Sequence, residues 1–251
     1  TFTNRGYGKP FWQTSIRDRV NGDCIPIYET EQELAAIRAE GRTLSIFASI
    51  GIGALQTLTN YVIGTGYKFT VQVAKGFNPD SAVELVGDVQ KFVDRFLDEN
   101  NIIGQLDREI HEQSRVDGER LLGLYPGSVP RVATIEPDCL REPVANSELE
   151  RWVESKYGID GPHFWKYGVH TVYDPHMQRN DTSRPIGYHV VYDESGNDWD
   201  YLLASRMIHV KRNVPLGCKR GVSDFVGITE EIADDKKLGR NTTKGAAIHA
   251  A

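Results

Sequence analysis

Apolar and polar positions divide this chain near Gly161. Before it, apolar residues recur mainly at three- and four-residue spacing, the period of a helix with one covered face. After it, short segments alternate, the period of a strand. Leu44, Phe47, Ile50, Ala54, Leu58 and Tyr61 predict one helix over roughly Arg42 to Ile63 with a buried face, stopped by Gly64 and Gly66. A helix also opens at Thr30 to Glu33, which has the T-x-x-E form of a capping box. Ser81 to Glu84 repeats that form, and Val86, Val89, Phe92, Val93 and Phe96 give the helix behind it an apolar stripe to about Asn100. Tyr67 to Val73 alternates and predicts a strand. Ile103 to Val116 reads as helix, ending at Asp117-Gly118. Glu119 to Tyr125 and Val129 to Ile135 predict a hairpin around Pro126-Gly127-Ser128. Ser147 to Tyr157 predicts a short helix burying Leu149, Trp152 and Val153. Strands are predicted at Tyr167 to Tyr173, Ile186 to Tyr192 and Met207 to Lys211, with a polar loop over 174 to 185 and a turn at Ser195-Gly196-Asn197. After Pro215, Gly217 and Gly221, Ser223 is placed to cap a last helix, whose apolar positions thin out after Ile232. Helices first and strands later predict an α+β fold, not a doubly wound parallel sheet.

The 251 residues suffice for one large domain or two small ones. A net charge of −6 argues against a nucleic-acid coat that is basic throughout. The charge is uneven: from Arg206 onward nine Lys and Arg meet five Asp and Glu, a net of +4, against −10 in the remainder. Cys24, Cys139 and Cys218 are widely separated and odd in number, which fits neither a disulfide framework nor a zinc site and suggests a reducing compartment. The most apolar window, Leu44 to Ile63, is broken by polar residues and glycines and reads as a buried helix, not a membrane span. The chain opens without Met and ends inside a predicted helix, so a piece of a longer protein is expected. Residues 1–28, rich in Gly and aromatics, read as an extended arm that packs on its own core in a monomer or crosses to a neighbour in an oligomer, the first being favoured.

Catalytic patterns come close and each fails at a defined position. His111-Glu112 starts H-E-x-x-H, but Arg115 stands where the second zinc ligand belongs. Gly51-Ile52-Gly53 starts G-x-G-x-x-G, but Gln56 breaks it and a helix surrounds it; small residues for close helix packing explain it better. Gly221-Val222-Ser223 starts a nucleophile elbow, but Phe225 replaces the closing Gly. His163, His170, His176 and His189, with Asp174, offer the side chains of a metal-dependent hydrolase, although spacings of 7 and 13 residues match neither hairpin nor helix ligation. His209 reads as a satisfied structural histidine. Asp234 and Asp235 are adjacent on a helix and point apart, as solvated charges do. No cofactor and no resident metal are expected.

Four segments in order resemble the portal proteins of tailed bacteriophages, of lambda type. Leu58 to Gln72 (LTNYVIGTGYKFTVQ) carries Asn60, Gly64, Thr65 and Gly66 of an apolar helix ending in N-x-V-(V/I)-G-T-G. Val116 to Leu140 carries Asp117, Gly118 and Glu119 of a helix ending in D-G-E, then a hairpin, then Ile135, Glu136, Pro137 and Asp138 of an E-P-D segment. Gly168, Val169, Asp174, Pro185, Tyr188 and Val190 match a third pattern. Ile208, His209, Pro215, Gly217, Arg220, Gly221, Val222 and Ser223 match a strand with I-H, a short turn and R-G-V-S. The resemblance covers roughly Leu44 to Ala251 and leaves 141 to 166 unmatched.

The resemblance implies an arm over 1–28, a wing-like α+β domain over 29–222 and the beginning of a stem helix over 223–251, with clip and crown outside this chain. It implies a structural subunit, not an enzyme: a homo-oligomeric ring, usually of twelve, at one capsid vertex of a virion assembled in the host cytoplasm. Implied partners are double-stranded DNA in the channel, the terminase large subunit, major capsid and scaffold proteins, and head-completion or adaptor proteins, with no membrane. A domesticated portal-like protein of a gene-transfer particle shares the pattern. Lys236, Lys237, Arg240 and Lys244 become candidates to face DNA or a neighbouring subunit. An acidic wing is compatible with a channel, because many Lys–phosphate contacts would hold DNA that must slide.

Overall fold

The computed structural model describes residues 28, 30–74, 79–144, 146–159, 162–174, 179–180, 184–214, 218–227, 237–238 and 241–242. The fold is α+β. Five helices, α1 (Glu31–Phe47), α2 (Ser49–Val62), α3 (Pro79–Glu99), α4 (Asp107–Asp117) and α5 (Asn146–Tyr157), accompany eight strands. These are β1 (Glu119–Tyr125), β2 (Arg131–Ile135), β3 (His163–Lys166), β4 (Val169–Asp174), β5 (Arg179–Asn180), β6 (Gly187–Val191), β7 (Trp199–Leu203) and β8 (Met207–Lys211). One antiparallel sheet runs β2-β1-β8; the other runs β3-β4-β6-β7, with β5 paired to β4. The predicted hairpin is β1–β2, in register from Leu121 opposite Ile135 to Tyr125 opposite Arg131.

The sheets share a core of Leu121, Ile135, Met207, Leu140, Val169, Tyr188, Val190 and Leu202. Each such side chain, fully buried, contributes about 1.5–3 kcal/mol. Strand β6 is buried along its whole length, Tyr188 and Val190 serving this core while His189 faces the aromatic side. On that side α5 seats Leu149 and Val153 against Tyr201, with Trp152 and Trp165 closing the cluster. Helices α1 and α4 cover the β1 end: Leu44, Ala48 and Val116 enclose Phe225, and Leu34, Ile37 and Tyr28 enclose Val222.

Thr30 caps α1 as its sequence predicts, its hydroxyl accepting from the Glu33 amide at 3.1 Å. The helix predicted over Arg42 to Ile63 is two helices. Ala48 adopts an extended backbone, φ −98° and ψ 115°, and α2 folds back on the last turn of α1. Gly51 permits this: a Cβ there would stand 2.7 Å from the Leu44 carbonyl oxygen and 3.1 Å from the Phe225 ring. Close packing thus explains Gly51, while Gly53 meets nothing within 4 Å. The predicted buried face is also corrected: Leu44 is buried, but Phe47 is 76% exposed, Ile50 63% and Tyr61 85%. Periodicity identified the stripe and not what covers it.

Three further elements differ from expectation. Tyr67 to Val73 is extended and has no strand partner among the described residues; the Gln90 amide takes that place, Oε1 accepting from the Val71 amide and Nε2 donating to the Phe69 carbonyl. Helix α3 starts at Pro79, not Ser81, because proline costs no hydrogen bond in a first turn. The helix predicted from Ile103 starts at Asp107, since Ile103 is extended and Gly104 has φ +87°. Strands β3, β5 and β7 were not expected, β5 lying within the stretch predicted as a polar loop. Among the described residues no helix is long and apolar enough to cross a membrane, and Cys139 and Cys218 form no disulfide. Tyr28, the one described residue of the 1–28 arm, packs on its own core; most of 223–251 lies outside the described residues.

Candidate functional site: a buried arginine–carboxylate clamp

Helix α4 ends at Asp117, Gly118 takes the left-handed φ of +84° that lets the chain leave the helix, and Glu119 starts β1. The D-G-E pattern therefore sets two carboxylates on either side of one turn, and both are fully buried. An unpaired carboxylate cannot stay charged there, so each draws an arginine. Glu119 Oε1 accepts from Arg220 Nε at 2.8 Å, and Arg220 Nη2 lies 2.6 Å away. Its Oε2 accepts from His209 Nε2 at 2.9 Å and the Gly221 amide at 3.0 Å. The remaining guanidinium hydrogens go to the carbonyls of Pro137 (2.6 Å), Tyr167 (3.0 Å) and Leu140 (3.3 Å). Tyr28 closes the group, its hydroxyl donating to the Arg220 carbonyl and accepting from the Arg220 amide.

Asp117 takes a bidentate pair from Arg42, Nε to Oδ1 at 2.7 Å and Nη2 to Oδ2 at 3.2 Å. Asp138 is shared: Arg38 donates to its Oδ1 and Arg42 to its Oδ2, both at 2.8 Å. Arg38 also approaches Glu119 at 3.5 Å. Three arginines thus face three carboxylates, Asp117, Glu119 and Asp138, and the clamp is neutral. Glu136 stands at its rim, accepting from Arg120 at 3.0 Å.

Burial alone would raise the Glu119 pKa, but the Arg220 charge and the His209 hydrogen bond outweigh it and hold the carboxyl below the ordinary range. Burial lowers His209, so the ring is neutral and donates from Nε2. Every lone pair of Glu119 is engaged. That arrangement fixes backbone and offers no vacant acid or base.

The residues quoted for two of the four motifs, the second and the fourth, converge. Asp117, Gly118, Glu119, Pro137, Asp138, His209, Arg220 and Gly221 lie in or directly against the clamp, with Glu136 at the edge. Ser223 is a cap as expected, accepting from the Phe225 amide at 3.1 Å, although the described turn is a short 3-10 segment, Asp224–Gly227. Asn60 and Gly64 are apart, meeting Arg108 at 3.5 and 2.9 Å, and Gly66 (φ +90°) lies against Ile103. Sequence reasoning missed Arg38, Arg42 and Tyr28. The signal existed: Arg38 interrupts the apolar stripe Leu34–Ile37–Gly41–Leu44, where a cation needs a buried partner. Lys237 is exposed; Lys236, Arg240 and Lys244, with Pro215, Gly217, Asp234 and Asp235, lie outside the described residues.

The histidines weighed as metal ligands form a second polar line. The Glu154 carboxylate can only accept, so His163 donates to it from Nε2 (3.1 Å) and accepts at Nδ1 from His170 Nε2 (2.8 Å). His170 Nδ1 then accepts from the Tyr201 hydroxyl at 2.8 Å, and its ring stacks on Trp165 at 4.1 Å. His189 turns to the Arg141 carbonyl, and His176 lies outside the described residues. Among the described residues no three His, Cys, Asp or Glu groups converge as a metal would require. His111, the zincin-like histidine, is occupied by Thr59 and Arg115 at 3.2 Å each.

Burial pushes His170 down to about 3, and burial also lowers His111, His189 and His209. The unfolded chain takes up these protons near pH 6.5 and the folded chain does not. Stability is therefore full above about pH 6.5 and falls as pH drops below it, by up to about 1.4 kcal/mol per pH unit for each such histidine. Urea unfolding at pH 7.5 and 5.0 measures this: the midpoint should fall at pH 5.0, and less so in His170→Asn. Equal midpoints for the wild-type protein would contradict the neutral assignment.

No protein-family model matches the chain, and no curated protein matches it.

Proposed function

We propose that this chain is the structural subunit of a portal-type ring, the vertex channel through which a tailed-phage genome is packaged and ejected. The observation that carries the reading is a set of large apolar side chains that the other described residues leave exposed. Phe47, Tyr61, Tyr67, Phe69 and Phe92 are each exposed by roughly half or more. At roughly 200 Å² per aromatic side chain they present about 600 Å² in all, as much apolar surface as the largest patch of a typical monomer. Ile46, Ile50, Val62, Val83 and Leu85 add to it. An interface of standard size takes about 800 Å² from each partner, so the surface matches what contact with a second copy would need.

The clamp fits the same role. It joins the α1/α4 layer to both sheets through buried ion pairs, giving the stiffness a ring subunit needs to carry load between neighbours. In this reading the terminase, the adaptor proteins and DNA are partners of the assembled ring, and Lys236, Lys237, Arg240 and Lys244 face the DNA or the adjacent subunit.

The test is the mass of the intact full-length protein by mass photometry, with negative-stain imaging. A closed ring is expected, and a strictly monomeric particle would overturn the proposal. Phe47→Glu with Tyr61→Glu should abolish assembly while changing monomer stability little, within about 0.5 kcal/mol per exposed site.

A further inference from the structure

Between the extended segment after α2 and the last turns of α3 lies a groove of about 360 Å³. Its apolar walls are Tyr67, Phe69, Leu97 and Ile103, and Asp94 and Asp98 stand on one rim, with Lys68 also on the lining. The groove is built. Tyr67 and Phe69 meet edge to face at 5.3 Å, and the Gln90 amide pins the segment to α3 on both sides of Thr70. Behind it Asp107 is buried, its Oδ2 accepts no hydrogen bond from the described residues, and its charge reaches the Tyr67 hydroxyl. An apolar slot with two carboxylates on its rim and a third buried behind it selects an apolar side chain flanked by cations.

The chain carries such a group. Among the described residues, Leu238 is an exposed large apolar side chain, 66% accessible, with Lys236, Lys237 and Arg240 within two positions of it. Phe47, Ile50 and Tyr61, equally exposed, have no cation within two positions. We infer that the groove of one copy receives Leu238 of a second copy, with Lys237 set against the Asp98 rim. This rests on the self-association proposed above and gives it a direction: groove on one side, basic segment on the other, a head-to-tail contact of the kind that closes rings.

The experiment uses the full chain and charge reversal. Asp94 is left unchanged because its carboxylate accepts from Gln90 at 2.7 Å. Asp98→Lys and Lys237→Glu should each raise the concentration needed for half-assembly about tenfold or more, since like charges are then opposed. Both substitutions in one chain should restore assembly. Mixing the two single variants should also restore it, because each reversed groove then meets a reversed segment on its neighbour. Recovery in the double variant but not in the mixture would mean the contact lies within one chain, overturning the second-copy assignment. Normal assembly of both single variants would overturn the groove and leave self-association standing. A wild-type protein that stays monomeric overturns both.

Discussion

Arg220→Met is expected to cost about 3–5 kcal/mol, because it leaves the Glu119 carboxylate buried and uncompensated. Three carbonyls, of Pro137, Leu140 and Tyr167, lose their donor in the same step. Against a typical total of about 5–15 kcal/mol, that is enough to leave much of the protein unfolded. Arg220→Lys should rescue little, since an ammonium cannot reproduce a fork that serves one carboxylate and three carbonyls. Adding Glu119→Leu to Arg220→Met should recover part of the loss, because removing both charges avoids the unpaired ion. The recovery stays incomplete while the carbonyls lack donors. Guanidinium unfolding of the three variants measures the series, and an Arg220→Met protein within about 1 kcal/mol of wild type would mean the pair does not hold the fold.

Gly118→Ala is the second large effect expected. A left-handed backbone costs an alanine about 1–2 kcal/mol. Its Cβ would also stand 2.1 Å from the Val222 carbonyl carbon, where backbone cannot yield as a side chain end can. Forced repacking adds about 1–3 kcal/mol. The facing Gly221 is equally confined, a Cβ there lying 2.0 Å from the Gly118 carbonyl oxygen. Gly53 is the control. It sits inside α2 in open space, so Gly53→Ala should stabilise by about 0.5–1 kcal/mol. Thermal or denaturant midpoints moving in opposite directions for the two alanines would confirm that the contact, not glycine itself, decides the outcome. A Gly118→Ala midpoint equal to wild type would refute it.

Much of this architecture was legible in the residue pattern, for physical reasons that can be named. The β1–β2 hairpin, the α1 cap and the α4 stop at Gly118 are local, decided by turn geometry and free amides within a few residues. The clamp was legible only as words. D-G-E, E-P-D and R-G-V-S stood out separately, but that Glu119 meets Arg220 across 101 positions is a tertiary fact. Arg38 and Arg42 went unread because a cation on a helix usually faces water. Two misreadings share one cause. The stripe of α2 and the alternation at Tyr67 to Val73 describe what a segment needs beside it, and among the described residues neither a covering core nor a partner strand is supplied. Periodicity reports demand, and the supply comes from elsewhere in the fold, or from another copy.

The clamp also sets an order of events during synthesis. Tyr28 is hydrogen-bonded to Arg220 across 192 positions, and Glu119 waits for the same arginine. At a translation rate of about 5–20 residues per second, the roughly hundred residues between Glu119 and Arg220 take about 5–20 s to appear. Throughout that interval the helices and the first hairpin exist without the group that neutralises their central carboxylate. The nascent chain therefore cannot close its first half early. Folding of that half is completed only when the R-G-V-S segment emerges.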